Sequence, residues 1–303
     1  MHVTLRQLQV FESAARHLSF SRAAAELHLS QPGVSMQIKQ LEATVGQALF
    51  EQLGKKIFLT GVGREVLRAG QAIAQQLVDL EDTLNDLRGL KQGALTVGVV
   101  STVSYFAIGL ISRFRQEHPE VRITLNVVNR EALLAQLANN EVDLALMGQA
   151  PEGHDLESTP FMENPLVVIA PFDHPLAKRK NIALARVAEA DFVAREPGSG
   201  TRGATEAFFQ AHGMALRVAM EMNKNEAIKQ AVMAELGLGI VSLHTIDMEL
   251  ALKRLTVLNV EDFPIMRHWH IVHRNGKRFA AIPEAFRQFV LEQATELIKP
   301  PAY

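Results

Sequence analysis

Apolar positions near the start of the chain recur at helical spacing. Leu5, Leu8, Phe11, Ala15 and Leu18 share one face of a helix that begins at Thr4. A second, shorter helix follows Ser19 and buries Ala23, Ala24 and Leu27. A third opens at Ser30-Gln31-Pro32, a capping hydroxyl followed by proline where no backbone donor is needed. Its apolar stripe is Val34, Ile38, Leu41 and Val45. The opposite face presents Pro32, Met36, Lys39 and Gln40, with Gln31 and Ser35 at the flank. Two helices joined by a tight His28-Leu29 turn, the second polar outward, have the makings of a helix-turn-helix. An ordinary helical subdomain carries the same pattern. The run LFEQLGKKIFLT (49–60) then predicts a short hairpin around Gly54-Lys55-Lys56. Its basic tip suits phosphate contact beside a groove, and it also fits a plain solvated turn.

The periodicity changes after residue 60. Val66, Ile73, Leu80 and Leu87 lie seven apart, and Gly70, Leu77 and Leu84 interleave. Alternating spacings of four and three are the seam of a coiled coil, so Val66, Ile73, Leu77, Leu80, Leu84 and Leu87 are candidate dimerisation residues. A helix over 61–90 is roughly 45 Å long, too long to pack fully against the small head.

From Gly93 strands and helices alternate. Strands are expected at Leu95–Val100, Arg122–Asn129 and Val142–Met147, with helices at Phe106–His118 and Glu131–Asn139 between them. The pattern resumes with strands at Leu166–Ala170, Asp191–Ala194, Arg217–Met222, Gly239–Leu243 and Trp269–His273. Helices are expected at Thr201–His212, Glu226–Glu235 and Pro283–Ile298. Two α/β lobes fit this order, and ligands of such sheets bind at the carboxyl ends of strands.

Composition adds to this picture only when split along the chain. The whole sequence carries a net charge of −2. Residues 1–68 hold eight basic and five acidic side chains, a net of +3, whereas residues 69–90 are net −3. A basic head on an acidic neck is compatible with DNA, which the neutral average hides. The chain has no cysteine, so disulfides, thiolate metal sites and thiol redox sensing are excluded. No long apolar run and no signal-peptide pattern occur, so a cytoplasmic protein without membrane contact is expected. His268, His270 and His273 are the one metal-like cluster, but no carboxylate stands near them and no metal or cofactor is expected. Gly237-Leu238-Gly239 is too short for a dinucleotide fingerprint, and no catalytic constellation stands out, so the chain reads as no enzyme.

The segments LRQLQVFESAARHLSFSRAAAELHLSQPGVSMQIKQLE (5–42) and LFEQLGKKIFLT (49–60), followed by the long helix, resemble the LysR-type transcriptional regulators. VDLALMG (142–148), DHPLA (173–177) and GLGIVSL (237–243) extend the resemblance along the whole chain. With REPGSGTR (195–202) the pattern is most similar to regulators of Calvin-cycle and carbon dioxide fixation operons, the CbbR type. The resemblance implies a winged helix-turn-helix over 1–60, a dimerising linker helix over 61–90 and a two-lobed, periplasmic-binding-protein-like α/β effector domain over 91–303. Lobe 1 is expected at about 91–162 and 268–303, lobe 2 at about 163–267. The implied partners are promoter DNA, a second copy in a dimer or dimer of dimers, RNA polymerase and a small anionic metabolite. That metabolite is a phosphorylated sugar such as ribulose bisphosphate, phosphoglycolate or NADPH. Without cysteine, a peroxide-sensing thiol is excluded within this family.

For DNA, Gln31 suits an adenine edge, Pro32 and Met36 suit thymine methyls, and Ser35 is short and adaptable. Arg22, Lys39, Lys55, Lys56 and Arg64 are candidates for phosphates. Met36 stands where many relatives carry arginine, which removes a guanine-reading contact. For the effector, Ser101 and Thr102 follow the first strand of the lobes, and Gly198, Ser199, Gly200, Thr201 and Arg202 open a helix. Such a start offers hydroxyls and free N–H groups, and Arg202 is the expected bidentate anion clamp. A plain helix cap is the bland alternative for Gly198–Arg202. Gln149, Asn223 and Asn225 sit at strand or helix ends and complete the expected site. Two other readings stay open. One is a regulator of this type for aromatic-acid catabolism or sulfur or nitrogen assimilation. The other is a small-molecule-binding module or enzyme whose head only oligomerises.

Overall fold

The first helix starts where its capping chemistry requires. The Thr4 hydroxyl accepts from the Gln7 N–H, and the Gln7 side chain accepts from the Thr4 N–H, so two orphan donors of α1 (Leu5–His17) are satisfied reciprocally. This computed structural model describes residues 3–54, 56–87 and 93–302, with the backbone alone at 78, 79 and 81–87. It divides into two units, residues 1–84 and 85–303.

In the first unit, α1 buries Val10, Phe11, Ala14 and Ala15. Leu5 and Leu18, expected on the same face, are exposed; Leu18 leaves the helix in the left-handed region at φ 46°. Helix α2 (Phe20–Glu26) is capped by Ser19, and α3 (Gln31–Val45) by Ser30, whose hydroxyl accepts from the Gly33 N–H at 3.2 Å. Gly46, at φ 80°, ends α3 in the conformation a side chain would resist. Val10, Ala14, Ala23, Ala24, Val34 and Ile38 close the three helices into one core.

Strands β1 (Phe50–Leu53) and β2 (Lys56–Leu59) form the antiparallel wing. The Glu42 carboxylate accepts from the Leu49 N–H at 2.8 Å, tying the wing to α3. Helix α4 (Gly61–Leu87) then packs Val62, Val66 and Leu67 against Phe11, Leu41 and Leu49. Val66, expected on the dimer seam, is thus half-buried against the core of the head. Further along, Ile73, Leu77 and Leu80 form an exposed apolar stripe. The side chains of Leu84 and Leu87 lie outside the described residues.

The second unit begins with β3 (Ala94–Val100), α5 (Ser104–Glu117), β4 (Arg122–Val128), α6 (Arg130–Ala138) and β5 (Leu144–Gly148). Strands β4, β3 and β5 are parallel, and β3 and β5 are near-continuously apolar, as strands covered on both faces must be. There follow β6 (Leu156–Pro171), α7 (Leu184–Ala188), β7 (Phe192–Arg195), α8 (Gly200–Ala211), β8 (Val218–Met222) and α9 (Asn225–Met233). The chain continues with β9 (Leu238–Ser242), a 3-10 turn (Leu243–Thr245), α10 (Asp247–Ala251), β10 (Leu255–Val257), β11 (Ile265–Arg274) and α11 (Ala281–Leu297).

Pattern reading located only the second half of β6. Its first half, Leu156 to Leu166, runs antiparallel to β11, and its second half pairs with β9 and β10. The described strands are thereby hydrogen-bonded in one series, β4-β3-β5-β11-β6-β9-β7-β8, with β10 against β6. Separate cores sit on either side of the crossing. Leu95, Val97, Leu110, Phe114, Phe286 and Val290 fill one, and Leu166, Val168, Phe192, Phe209 and Ile240 another. Gly237, at φ 148°, has no room for a side chain, since a Cβ would stand 2.7 Å from the Asp191 carbonyl oxygen. That glycine serves the close approach of β9 to β7.

Candidate functional site

The α3 face places five expected DNA residues side by side. Gln31, Pro32, Ser35, Met36 and Lys39, joined by Gln40 and Ala43, line one shallow open groove. Met36 is 54% exposed and stands in this groove rather than in the core. Arg22 on α2 and Lys56 on β2 are exposed, whereas Lys55 lies outside the described residues. Arg64 donates from Nη1 to the Leu59 carbonyl at 2.9 Å, so part of its guanidinium braces the wing.

The other site lies in the second unit, where strands of both lobes end. Ser101 and Thr102 follow β3, Gln149 follows β5, and Gly198, Ser199, Gly200 and Thr201 lead from β7 into α8. All seven line one cavity of about 120 Å³. Gly198 is at φ 85°, so the turn into α8 uses a conformation that glycine adopts freely. Ser199 stands at the N-cap but its side chain makes no capping bond. That speaks against the plain-cap alternative and leaves first-turn N–H groups of α8 without a side-chain acceptor.

Three expected residues are elsewhere. Arg202 points away from the cleft: its Nε donates to Glu206 at 2.5 Å, and its Nη1 donates to the Arg195 carbonyl at 3.1 Å and lies 3.5 Å from Glu221. Two residues into a helix, a side chain has turned roughly 200° from the first position, which carries it off the cleft face. Asn223 is exposed in the turn after β8, and Asn225 is buried at the start of α9; neither lines the cavity.

In their place stand residues that pattern reading did not single out. Arg130, Arg195 and Arg267 line the cavity, with Asn129, Asn164, Glu196 and Trp269. Arg130 donates to the Gln149 carbonyl at 3.1 Å and Arg267 to the Gly200 carbonyl at 2.7 Å. Among the described residues neither is paired with a carboxylate. Burial, and secondly the Arg130 charge, hold Arg267 below the usual guanidinium range, so an anion between the two would relieve both. Asn129 is committed as the cap of α6, accepting from the Ala132 N–H. Asn164 and Trp269 also border the cavity, and Asn164 Oδ1 and Trp269 Nε1 are buried without a hydrogen-bond partner among the described residues. The missed arginines had a signal. Arg195 ends β7 and Arg130 opens α6 two residues after β4, both at the carboxyl side of parallel strands, where α/β sheets bind ligands.

For His268, His270 and His273, the strand places Trp269 and Ile271 in the core, and His270 Nδ1 lies 3.0 Å from Ser158 Oγ. Among the described residues no three His, Cys, Asp or Glu side chains are grouped to hold a metal ion, and no helix is long and apolar enough to cross a membrane.

A winged helix-turn-helix on one chain with a two-lobed α/β domain around a basic cleft is the architecture of a DNA-binding regulator. Residues 5–64 match the bacterial regulatory helix-turn-helix protein, lysR family, and residues 88–295 match the LysR substrate binding domain. The chain belongs to the LysR family of transcriptional regulators, a class of DNA-binding proteins rather than enzymes. It is 53% identical over 297 residues to the RuBisCO operon transcriptional regulator of Allochromatium vinosum, covering 98% of each chain. The regulatory domain of Synechocystis CcmR, solved in complex with 2-PG, is 39% identical at a TM-score of 0.64, matching 70% of this chain and 100% of that one. A full-length OxyR variant from Pseudomonas aeruginosa shares the fold at a TM-score of 0.75 and 21% identity, over 100% of this chain and 98% of that one.

Proposed function

We propose that the chain controls carbon dioxide fixation genes in response to a small phosphorylated acid or sugar bound between its lobes. The observation that carries this reading is the pair Arg130 and Arg267, two guanidinium groups on the cavity wall that have no carboxylate partner among the described residues. Together with the uncapped start of α8 they make a site for a phosphate or carboxylate. The relatives regulate RuBisCO operons, and a related regulatory domain binds 2-PG, which agrees with that ligand class.

In this reading residues 1–60 bind operator DNA through Gln31, Pro32, Ser35, Met36 and Lys39, with Arg22, Lys55, Lys56 and Arg64 on phosphates. Residues 61–90 dimerise through Ile73, Leu77, Leu80, Leu84 and Leu87, and dimers pair into tetramers. Two copies place two reading helices on successive major grooves. Ligand-induced lobe closure shifts the population between assemblies that bend the promoter differently and present themselves to RNA polymerase in the cytoplasm. The test is calorimetry of the full chain with phosphoglycolate, ribulose bisphosphate and NADPH, alongside gel shifts on the promoter of a RuBisCO operon. Binding of aromatic acids only, with no response to these phosphates, overturns the reading.

A further inference from the structure

The third arginine of the cleft is unlike the other two. Arg195 is the last residue of β7, and its side chain is only 7% exposed. Its Nε and Nη2 both donate to the carboxylate of Glu196, at 2.7 and 2.8 Å, in a bidentate fork. Its remaining Nη1 reaches Thr102 Oγ1 only at 3.4 Å. A guanidinium this buried needs a partner whenever no ligand is bound, because an unpaired buried charge is strongly destabilising. Glu196 is that partner, and it stands on the cavity wall itself. Burial acts to raise the Glu196 pKa, but the Arg195 bonds and charge, a backbone hydrogen bond and the Lys224 charge together outweigh it, so the carboxyl lies below its usual range and is ionised.

The backbone around Glu196 is held on both sides. Its N–H donates to the Met222 carbonyl, and its own carbonyl accepts from the Ser199 N–H. The side chain is 28% exposed and so has a path to solvent. Exchange of partners at Arg195 is thus a side-chain rotation that leaves the loop into α8 in place.

We propose that the Glu196 carboxylate is a resident anion that occupies Arg195 until a second acidic group of the effector displaces it. Resting on the anion-cleft reading above, this makes Glu196 a specificity-determining residue. One acid group of the ligand is held by Arg130, Arg267 and the start of α8. A ligand bearing a second acid group takes Arg195 as well and turns Glu196 outward. A ligand with one acid group leaves the Arg195–Glu196 pair intact and meets the Glu196 charge as repulsion.

The test uses the full chain and two probes, inorganic phosphate and phosphoglycolate, measured by calorimetry. Glu196→Gln is expected to tighten phosphoglycolate binding by about tenfold, since displacing a neutral amide removes a close charge competitor. Glu196→Asp, which keeps the charge on a shorter arm, is expected to give an intermediate gain and guards against a folding defect in the first variant. Glu131, an exposed carboxylate on the same cavity wall, is the control: Glu131→Gln is expected to shift affinity by less than about threefold, as a solvent-screened charge does. Inorganic phosphate is expected to gain less than phosphoglycolate from Glu196→Gln. An unchanged or weaker phosphoglycolate affinity in Glu196→Gln overturns the proposal, and so does an equal gain in Glu131→Gln, which would reduce the effect to net charge. If neither probe nor ribulose bisphosphate binds the unaltered chain or any variant, the anion-cleft reading itself fails, a separate outcome.

Discussion

The α3 face and the interlobe cleft are assembled in opposite ways. The α3 face is one stretch of chain: Gln31, Pro32, Ser35, Met36 and Lys39 share a groove because helical geometry places i, i+4 and i+8 together. The cleft is drawn from junctions far apart in the chain, from Ser101 to Trp269, and exists only once the sheet is formed. The first kind of site is written in local spacing. The second is written in topology, so its residues have no common motif. The charge chemistry differs too. The α3 face is open to solvent, where a lysine is screened, whereas the cleft arginines are half or fully buried and act in a medium where each anion contact counts for more.

Breaking the cleft should therefore have the larger effect. Arg267→Ala is expected to weaken phosphoglycolate binding by about a hundredfold, because a charge-assisted contact to a partly buried guanidinium is lost. Operator affinity without ligand should stay within error in gel shifts; a parallel loss of both would mean that the two regions are not separable.

Acid offers a way to weaken the cleft unit selectively. His244, beside Phe106 at a ring distance of 5.7 Å, is pushed down to about 4 by burial. Its unfolded pKa is higher, so the unfolded state binds the extra proton and stability falls as the pH drops from about 6.5 towards about 4. The loss is at most about 3 kcal/mol from this group. Thermal melts of the unaltered chain and of His244→Gln across that window should converge towards low pH. Parallel curves would remove His244 from the account.

The α3 face is sharpened by a smaller pair of effects. Gln31→Ala is expected to reduce preference for operator over random DNA by about 1–3 kcal/mol, while Lys56→Ala lowers affinity for both alike and reduces the salt slope. Gel shifts on the two duplexes over a salt series distinguish these outcomes. Smallest of all, Arg202→Ala should leave phosphoglycolate affinity within about twofold, since Glu206, Glu221 and the Arg195 carbonyl hold that side chain off the cleft. A large loss of affinity by calorimetry would return Arg202 to the site.

Arg202 and Arg195 show how far local reading reaches. Both lie in REPGSGTR, and spacing alone favours the arginine inside the helix start, next to the glycines and hydroxyls. The strand that ends at Arg195 turns that residue into the cleft instead, and α8 rotates Arg202 towards β8. Arg267 was less legible still, because it comes from a strand that returns across the sheet long after the rest of its site. Val66 taught the same lesson in the head. It stands in the heptad series, yet it packs, half-buried, against Phe11 and Leu41 within the same unit, so periodicity alone did not say which surface it meets.

The sequence by itself determined the capped helices, the outward face of α3, the wing, the long apolar seam and the alternation of strands and helices. Each follows from propensity and periodicity within a few turns of chain, where neighbours in sequence are neighbours in space. Only the tertiary structure decided which charged groups share the cleft, which arginine carries a carboxylate of its own and which have none among the described residues. How these side chains are brought together, and not what they bind, depends on strand order and on the antiparallel crossing of β6 and β11. They bring together side chains whose separation along the chain carries no record of their distance.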